Sequence, residues 1–206
     1  MAKYLVPWSG GLDSTSLICQ LLGKGHRVEA LYTDINDNEQ DARQLNAVKI
    51  MQKQYFKNYD FSLIIDQNKG LGLSAVFRQN VICLQQVPVH IFNIIKHIDG
   101  HDFVAMAYVM NDDAISFLCD IKKIYDSYQG IANNRLPKLQ FPLSKMPKHI
   151  LYESLPRELK AHITWCEGTE DNCGKCSSCK RMSDLIASET NVSSKEDTIS
   201  TANMLL

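Results

Sequence analysis

The sequence predicts an α/β fold, a doubly wound parallel sheet with a cysteine-rich segment towards its C-terminal end. Short apolar runs alternate with helical stretches, a Ser-Gly-Gly turn joins the first run to the first helix, and four closely spaced cysteines follow the last helical stretch. Tyr4 to Trp8 reads as a buried strand and Thr15 to Leu22 as the helix after it, closed by Gly23 and Gly25. Val28 to Thr33 reads as a second strand ending at Asp34, and Ala42, Leu45, Val48 and Met51 then recur at helical spacing. Phe61 to Ile65 is the third strand, followed by a loop with Gly70 and Gly72 and by helical stretches over 74–86 and 91–98. Phe103 to Tyr108 is the fourth strand, and a helix over 113–128 follows, capped by Asn111 or Asp112. Leu139 to Phe141 is a short strand, and Pro147 suits the first turn of a helix running to Lys160. Residues 1–160 are thus expected to form the α/β body and 161–189 a metal segment packed on it. Residues 190–206, rich in Ser, Thr, Asn and acidic groups, read as a mobile tail.

The turn itself, Ser9-Gly10-Gly11-Leu12-Asp13-Ser14, carries the chemistry. Two glycines permit a sharp turn and a close approach of backbone to ligand. The Ser and Thr hydroxyls are expected to open the helix, whose free N–H groups and positive dipole end suit a phosphate or pyrophosphate. A Walker A lysine is absent, so Mg²⁺ and remote basic residues must supply positive charge. A glycine turn with a hydroxyl helix cap is the plain alternative, but strand, SGGxDS and helix together favour a nucleotide loop. Asp13 has two readings, a Mg²⁺ or loop-orienting carboxylate and a helix-start carboxylate favoured by the dipole.

Cys166, Cys173, Cys176 and Cys179 lie within fourteen residues, and the last three form two Cys-x-x-Cys steps with Gly174 in the turn. Four thiolates at this spacing close a tetrahedral shell suited to one structural Zn²⁺ with no open position for a catalytic water. An iron–sulfur cluster also takes four cysteines, though its common spacings differ. The remaining Cys19, Cys83 and Cys119 fall in apolar helical patterns and are expected to be buried core thiols.

The formal net charge is −1, and zinc on four thiolates would bring it to about −3. That balance argues against a basic face gripping tRNA or DNA and favours a small-molecule enzyme. No apolar run reaches membrane-spanning length, since His90, Asn93, Lys96 and His97 interrupt the 87–98 stretch. Lys3 runs straight into the first strand without a secretory pattern, and the thiols fit a reducing cytoplasm. A homodimer is compatible with this composition.

On Ser9–Ser14 the chain resembles the PP-loop ATP pyrophosphatases, which split ATP between the α- and β-phosphates and adenylate a substrate. Adding Cys173-Gly174-Lys175-Cys176-Ser177-Ser178-Cys179-Lys180-Arg181, it resembles their 7-cyano-7-deazaguanine synthase branch in particular. Phe141-Pro142-Leu143, then Lys148 and Ile150, then Thr164-Trp165-Cys166 look like further parts of that branch. The resemblance implies an adenine nucleotide alpha hydrolase-like, HUP-type fold with ATP, Mg²⁺ and one structural Zn²⁺. It further implies that a deazapurine carboxylate, 7-carboxy-7-deazaguanine, and ammonia become a nitrile through an amide.

On that reading Ser9, Gly10, Gly11, Leu12, Asp13 and Ser14 hold the nucleotide together with Asp34. Asp13, Ser14 and Lys148 take part in catalysis, with Lys148 and Arg181 as remote cations. The middle of the chain departs from the branch: Asp34-Ile35-Asn36-Asp37 replaces a Gly-Gln-x-x-His element, and His90 stands where an arginine is expected, with Arg78 as its alternative. Asp112 or Asp113 would accept hydrogen bonds from the ring, or either caps a helix. Three alternatives stay open: a related ligase that stops at the amide or uses another carboxylate, a tRNA-thiolating enzyme with Cys119 near the site, and a nucleotide-sensing zinc module without turnover.

Overall fold

The computed structural model describes residues 1–34, 39–67, 86–132, 135–166 and 173–187, in two compact units, Met1–Thr164 and Trp165–Leu206. In the first unit the strands are β1 (Lys3–Pro7), β2 (Arg27–Asp34), β3 (Phe61–Gln67), β4 (Phe103–Ala105) and β5 (Lys138–Gln140). They form one parallel sheet in the order β3-β2-β1-β4-β5, with Val6 opposite Ala30 and Leu5 opposite Val104. Leu5, Val6, Val28, Ala30 and Val104 are wholly buried, as strands covered on both faces must be.

Side chains alternate across the sheet. On one face Leu5, Leu31, Val104 and Leu139 pack against Val87, Ile91 and Ile94 of α3 (Gln86–Lys96) and Ile121 and Tyr125 of α4 (Leu118–Ala132). On the other, Trp8 meets Phe56 and Phe61 edge-on, with Val48 and Met51 of α2 (Glu39–Met51) buried nearby in sequence. After Met51 the helix widens into a π-helical turn, Gln52–Phe56, and this extra residue per turn brings Phe56 rather than Tyr55 into the core. Ala42, expected in the apolar stripe of α2, is instead exposed, and Ala47 is buried.

The first crossover helix, α1 (Leu12–Gly23), ends at Gly25, whose φ of +75° suits glycine. The Gly25 N–H donates to Leu22 O and the His26 N–H to Leu21 O, the paired bonds that turn the chain into β2.

Two expected helices differ in form. The 113–128 stretch begins as a 3₁₀ turn, Asp113–Phe117, and becomes α-helical only at Leu118, continuing to Ala132. The 147–160 stretch is split into α5 (Lys148–Ser154) and α6 (Arg157–Lys160). Pro156 is the cause: it lacks an N–H and drives Leu155 into an extended conformation. The fourth strand is shorter than expected, since only Phe103–Ala105 pairs with its neighbours.

Among the expected core thiols, Cys19 is partly buried and its burial pushes the thiol up to about 12. Cys119 is exposed, because it follows the 3₁₀ turn on the outer side of α4. Cys83, the helical stretch over 74–86 with Arg78, and the 190–206 tail lie outside the described residues. No described helix is long and apolar enough to cross a membrane.

Candidate functional site

The loop after β1 is tighter than its hydroxyls suggested. Helix α1 starts at Leu12, and Gly11, in extended conformation, is its N-cap with no side-chain capping bond. Ser14 and Thr15 therefore lie within the first turn. The Ser14 hydroxyl donates back to Gly11 O (3.4 Å), while the wholly buried Thr15 Oγ1 accepts the indole N–H of Trp8 (3.0 Å). Neither hydroxyl caps the helix, which corrects the expectation from sequence. Leu12 is buried, Asp13 occupies the first turn, and the Ser9 hydroxyl accepts from the Gly11 N–H at 3.4 Å.

Three residues from three connections meet beside this loop. Lys148, the first residue of α5, places its ammonium 3.0 Å from Asp13 Oδ2 and 3.5 Å from Asp112 Oδ1. Asp112 is fixed by a second bond, from the Val109 N–H to its Oδ2 (2.9 Å), across a tight turn with Asn111 at φ +70°. The Met110 N–H donates to Met146 O (3.1 Å), stitching the loop after β4 to the one that leads into α5. Asp13, Asp112 and Lys148 thus gather beyond the carboxyl ends of β1, β4 and β5. This is the switch point of a doubly wound sheet, where ligands bind. Burial, then the Asp112 charge, pushes the Tyr108 phenol up to about 12, so it keeps its proton as a donor.

The other expected residues are placed less centrally. Asp34 ends β2, partly buried, and Asp113 is exposed at the start of the 3₁₀ turn. His90 lies on α3, where burial pushes its imidazole down to about 4, which leaves it neutral near pH 7. Arg181 belongs to the second unit and donates to Ser177 on its own helix, residues 177–187. Thr164, which the sequence offered only as part of the motif track and with no role at the loop, bonds both Ser9 and Gly10; its partners are some 155 positions away, beyond any local pattern.

In the second unit the four cysteine sulfurs all lie within 4.8 Å of one another, and Cys173 Sγ is 4.0 Å from Cys179 Sγ. Gly174 turns the chain at φ +69°, and the Cys179 N–H points at Cys176 Sγ (3.3 Å). Bonds of about 2.3 Å to one tetrahedral ion set sulfurs about 3.8 Å apart, so the thiols suit a single metal.

No protein-family profile matches the sequence, and no curated protein matches it. Solved structures do. The U34-tRNA thiolase NcsA of Methanococcus maripaludis, with its [4Fe-4S] cluster, superposes with a TM-score of 0.53 at 16% identity, over 94% of this chain and 66% of that one. A 4-thiouridine synthetase in complex with RNA and ATP gives 0.53 at 16% identity, over 78% of this chain and 40% of that one. The chain therefore spans just under two thirds of the first neighbour and two fifths of the second. What this chain shares with both is the fold.

Proposed function

We propose that the chain binds ATP with its phosphates on Ser9–Ser14, cuts between the α- and β-phosphates, and adenylates a carboxylate for attack by ammonia. The observation that carries this reading is Lys148 held between Asp13 and Asp112 beside the glycine loop. A carboxylate is a poor electrophile, and AMP provides the leaving group. Pyrophosphate departure concentrates negative charge, which backbone N–H groups, the Lys148 ammonium and Mg²⁺ on Asp13 would stabilise. Asp34, at the end of β2, is a second oxygen donor for the nucleotide or its metal.

The finer proposal is that the acid is 7-carboxy-7-deazaguanine and the product its nitrile, formed through the amide. The motif track through Pro142-Leu143, Lys148 and the four cysteines supports it. Asp112 or Asp113, with His90 or Arg78, is proposed to hold the ring, His90 as a neutral partner. Zn²⁺ at Cys166, Cys173, Cys176 and Cys179 is proposed as structural: a cluster of four irons would hold its cysteines well apart, whereas these sulfurs lie within 4.8 Å.

A second reading, tRNA thiolation, is favoured by the names of the two neighbours and by the exposed thiol of Cys119 at the start of α4. One experiment separates the two: AMP and pyrophosphate release from ATP, screened across the 7-deazaguanine carboxylate, its amide and unrelated acids with ammonia, and across tRNA with a sulfur donor. Turnover of the deazaguanine acid supports the ligase. AMP release only with tRNA supports thiolation, and ADP release overturns adenylation.

A further inference from the structure

We infer that Thr164 is the positioning residue of the nucleotide loop, setting the direction of the N–H groups that the proposed ATP site would use. The inference rests on that reading for its ligand and on two hydrogen bonds for its geometry. The Thr164 N–H donates to Gly10 O (3.0 Å), and its hydroxyl donates to Ser9 O (3.3 Å). In a trans peptide the C=O and the following N–H point in opposite directions. Drawing the Ser9 and Gly10 carbonyls towards Thr164 therefore turns the N–H groups of Gly10 and Gly11 away from it. Two successive N–H groups aimed to one side make an anion-binding concavity. The Gly11 N–H rests on Ser9 Oγ at a long 3.4 Å, a bond that a phosphate oxygen would replace.

Thr164 also gives a reason for both glycines. A Cβ on Gly10 would stand 3.4 Å from Thr164 Oγ1 and 3.2 Å from Val48 Cγ1, at a φ of +77° that side chains avoid. On Gly11 it would stand 3.4 Å from Thr164 O and 3.3 Å from Ser9 Oγ. The space that a side chain on either glycine would need is thus held in part by Thr164, beside Val48 at Gly10 and Ser9 at Gly11. This packing role stands beside the one that the sequence suggested, in which the glycines clear the way for ligand.

Thr164→Val keeps the shape and removes the hydroxyl, and Thr164→Ser restores it. Two measurements on the full chain test the inference, with thermal melting run alongside to exclude global unfolding. The exchange protection of the residue-164 amide, whose N–H is held on Gly10 O, should fall several-fold without nucleotide in Thr164→Val and return to the wild-type level in Thr164→Ser. ATP titration by calorimetry should show roughly tenfold weaker binding in Thr164→Val, again recovered by Thr164→Ser. Unchanged exchange in Thr164→Val, or a Ser variant as impaired as the Val variant, would overturn the positioning role. Wild-type protein that binds no ATP while the exchange difference holds would instead overturn the nucleotide reading and leave the hold of Thr164 on the loop.

Discussion

Lys148 and Asp13 are joined by an ion pair of 3.0 Å between the start of α5 and the first turn of α1. The same ammonium lies 3.5 Å from Asp112, so one positive charge is shared by two carboxylates. On the proposed reading, a nucleotide would meet a net acidic cluster here, and Mg²⁺ would balance its charge.

On the proposed reaction, Lys148→Met should lower AMP release about a hundredfold, because it would remove the charge proposed to stabilise the departing pyrophosphate. Stability should move by at most about 1 kcal/mol, since the paired side chains are partly exposed and such pairs contribute little. Steady-state rates and denaturant unfolding of the same variant check both parts. A large loss of stability with unchanged turnover would assign Lys148 to the scaffold alone.

Elemental analysis of the purified protein should find about one Zn²⁺ per chain. Cys176→Ser should release the metal and loosen residues 173–187, seen as increased proteolysis of that segment. Iron with sulfide in place of zinc would refute the single-ion site.

Asp66 supplies a pH-dependent element. It is almost wholly buried near the end of β3, accepts two bonds of 2.9 Å from Lys96, and lies 3.0 Å from His97 Nε2. Burial works to raise its carboxyl, but the bonds and charges of Lys96 and His97 outweigh it and hold the group below its ordinary 3.8. A carboxyl lowered by folding stabilises the native state above its unfolded value and loses that contribution as pH falls through the folded one. Stability should therefore be level on this account above about pH 5 and fall below pH 4. Asp66→Asn should flatten the acid limb in urea unfolding followed against pH; an unchanged acid limb would exclude Asp66 as its source.

Thr15→Val should destabilise the chain by about 1–3 kcal/mol, because it strands the buried indole N–H of Trp8. The native-state fluorescence of Trp8 should shift with it. A variant as stable as wild type would mean that another acceptor takes the proton.

Much of the sheet was legible because its inner strands are short apolar runs buried on both faces, as in Tyr4-Leu5-Val6 and Ala30-Leu31. The cysteine spacing was legible for the same reason, since metal ligation is local. The start of α1 was less so: Gly11 rather than a hydroxyl is its N-cap, and the Thr15 hydroxyl is drawn to Trp8. The break at Leu155 follows from Pro156, a signal present in the sequence but outweighed by the apolar repeat on either side. Cys119 looked like core because its apolar neighbours Leu118 and Ile121 surround it in sequence, while in α4 they turn another way. The resemblance marked Lys148 beside Asp13 as a site residue and Thr164 as part of the motif track, but the contacts of Lys148 with Asp13 and of Thr164 with Gly10 follow from no local pattern, because only the fold brings those residues together.

The position of β1 in the sheet has a consequence for how the chain acquires its shape. β1 is the central strand, and its second edge is paired only by β4, about a hundred residues later in the chain. Such long-range pairing is slow, since chain entropy is lost before the contacts form. The glycine loop waits longer still, for Thr164 at the far end of the first unit. The Ser9–Ser14 motif is thus local in sequence, yet its shape is completed only by a residue some 155 positions away.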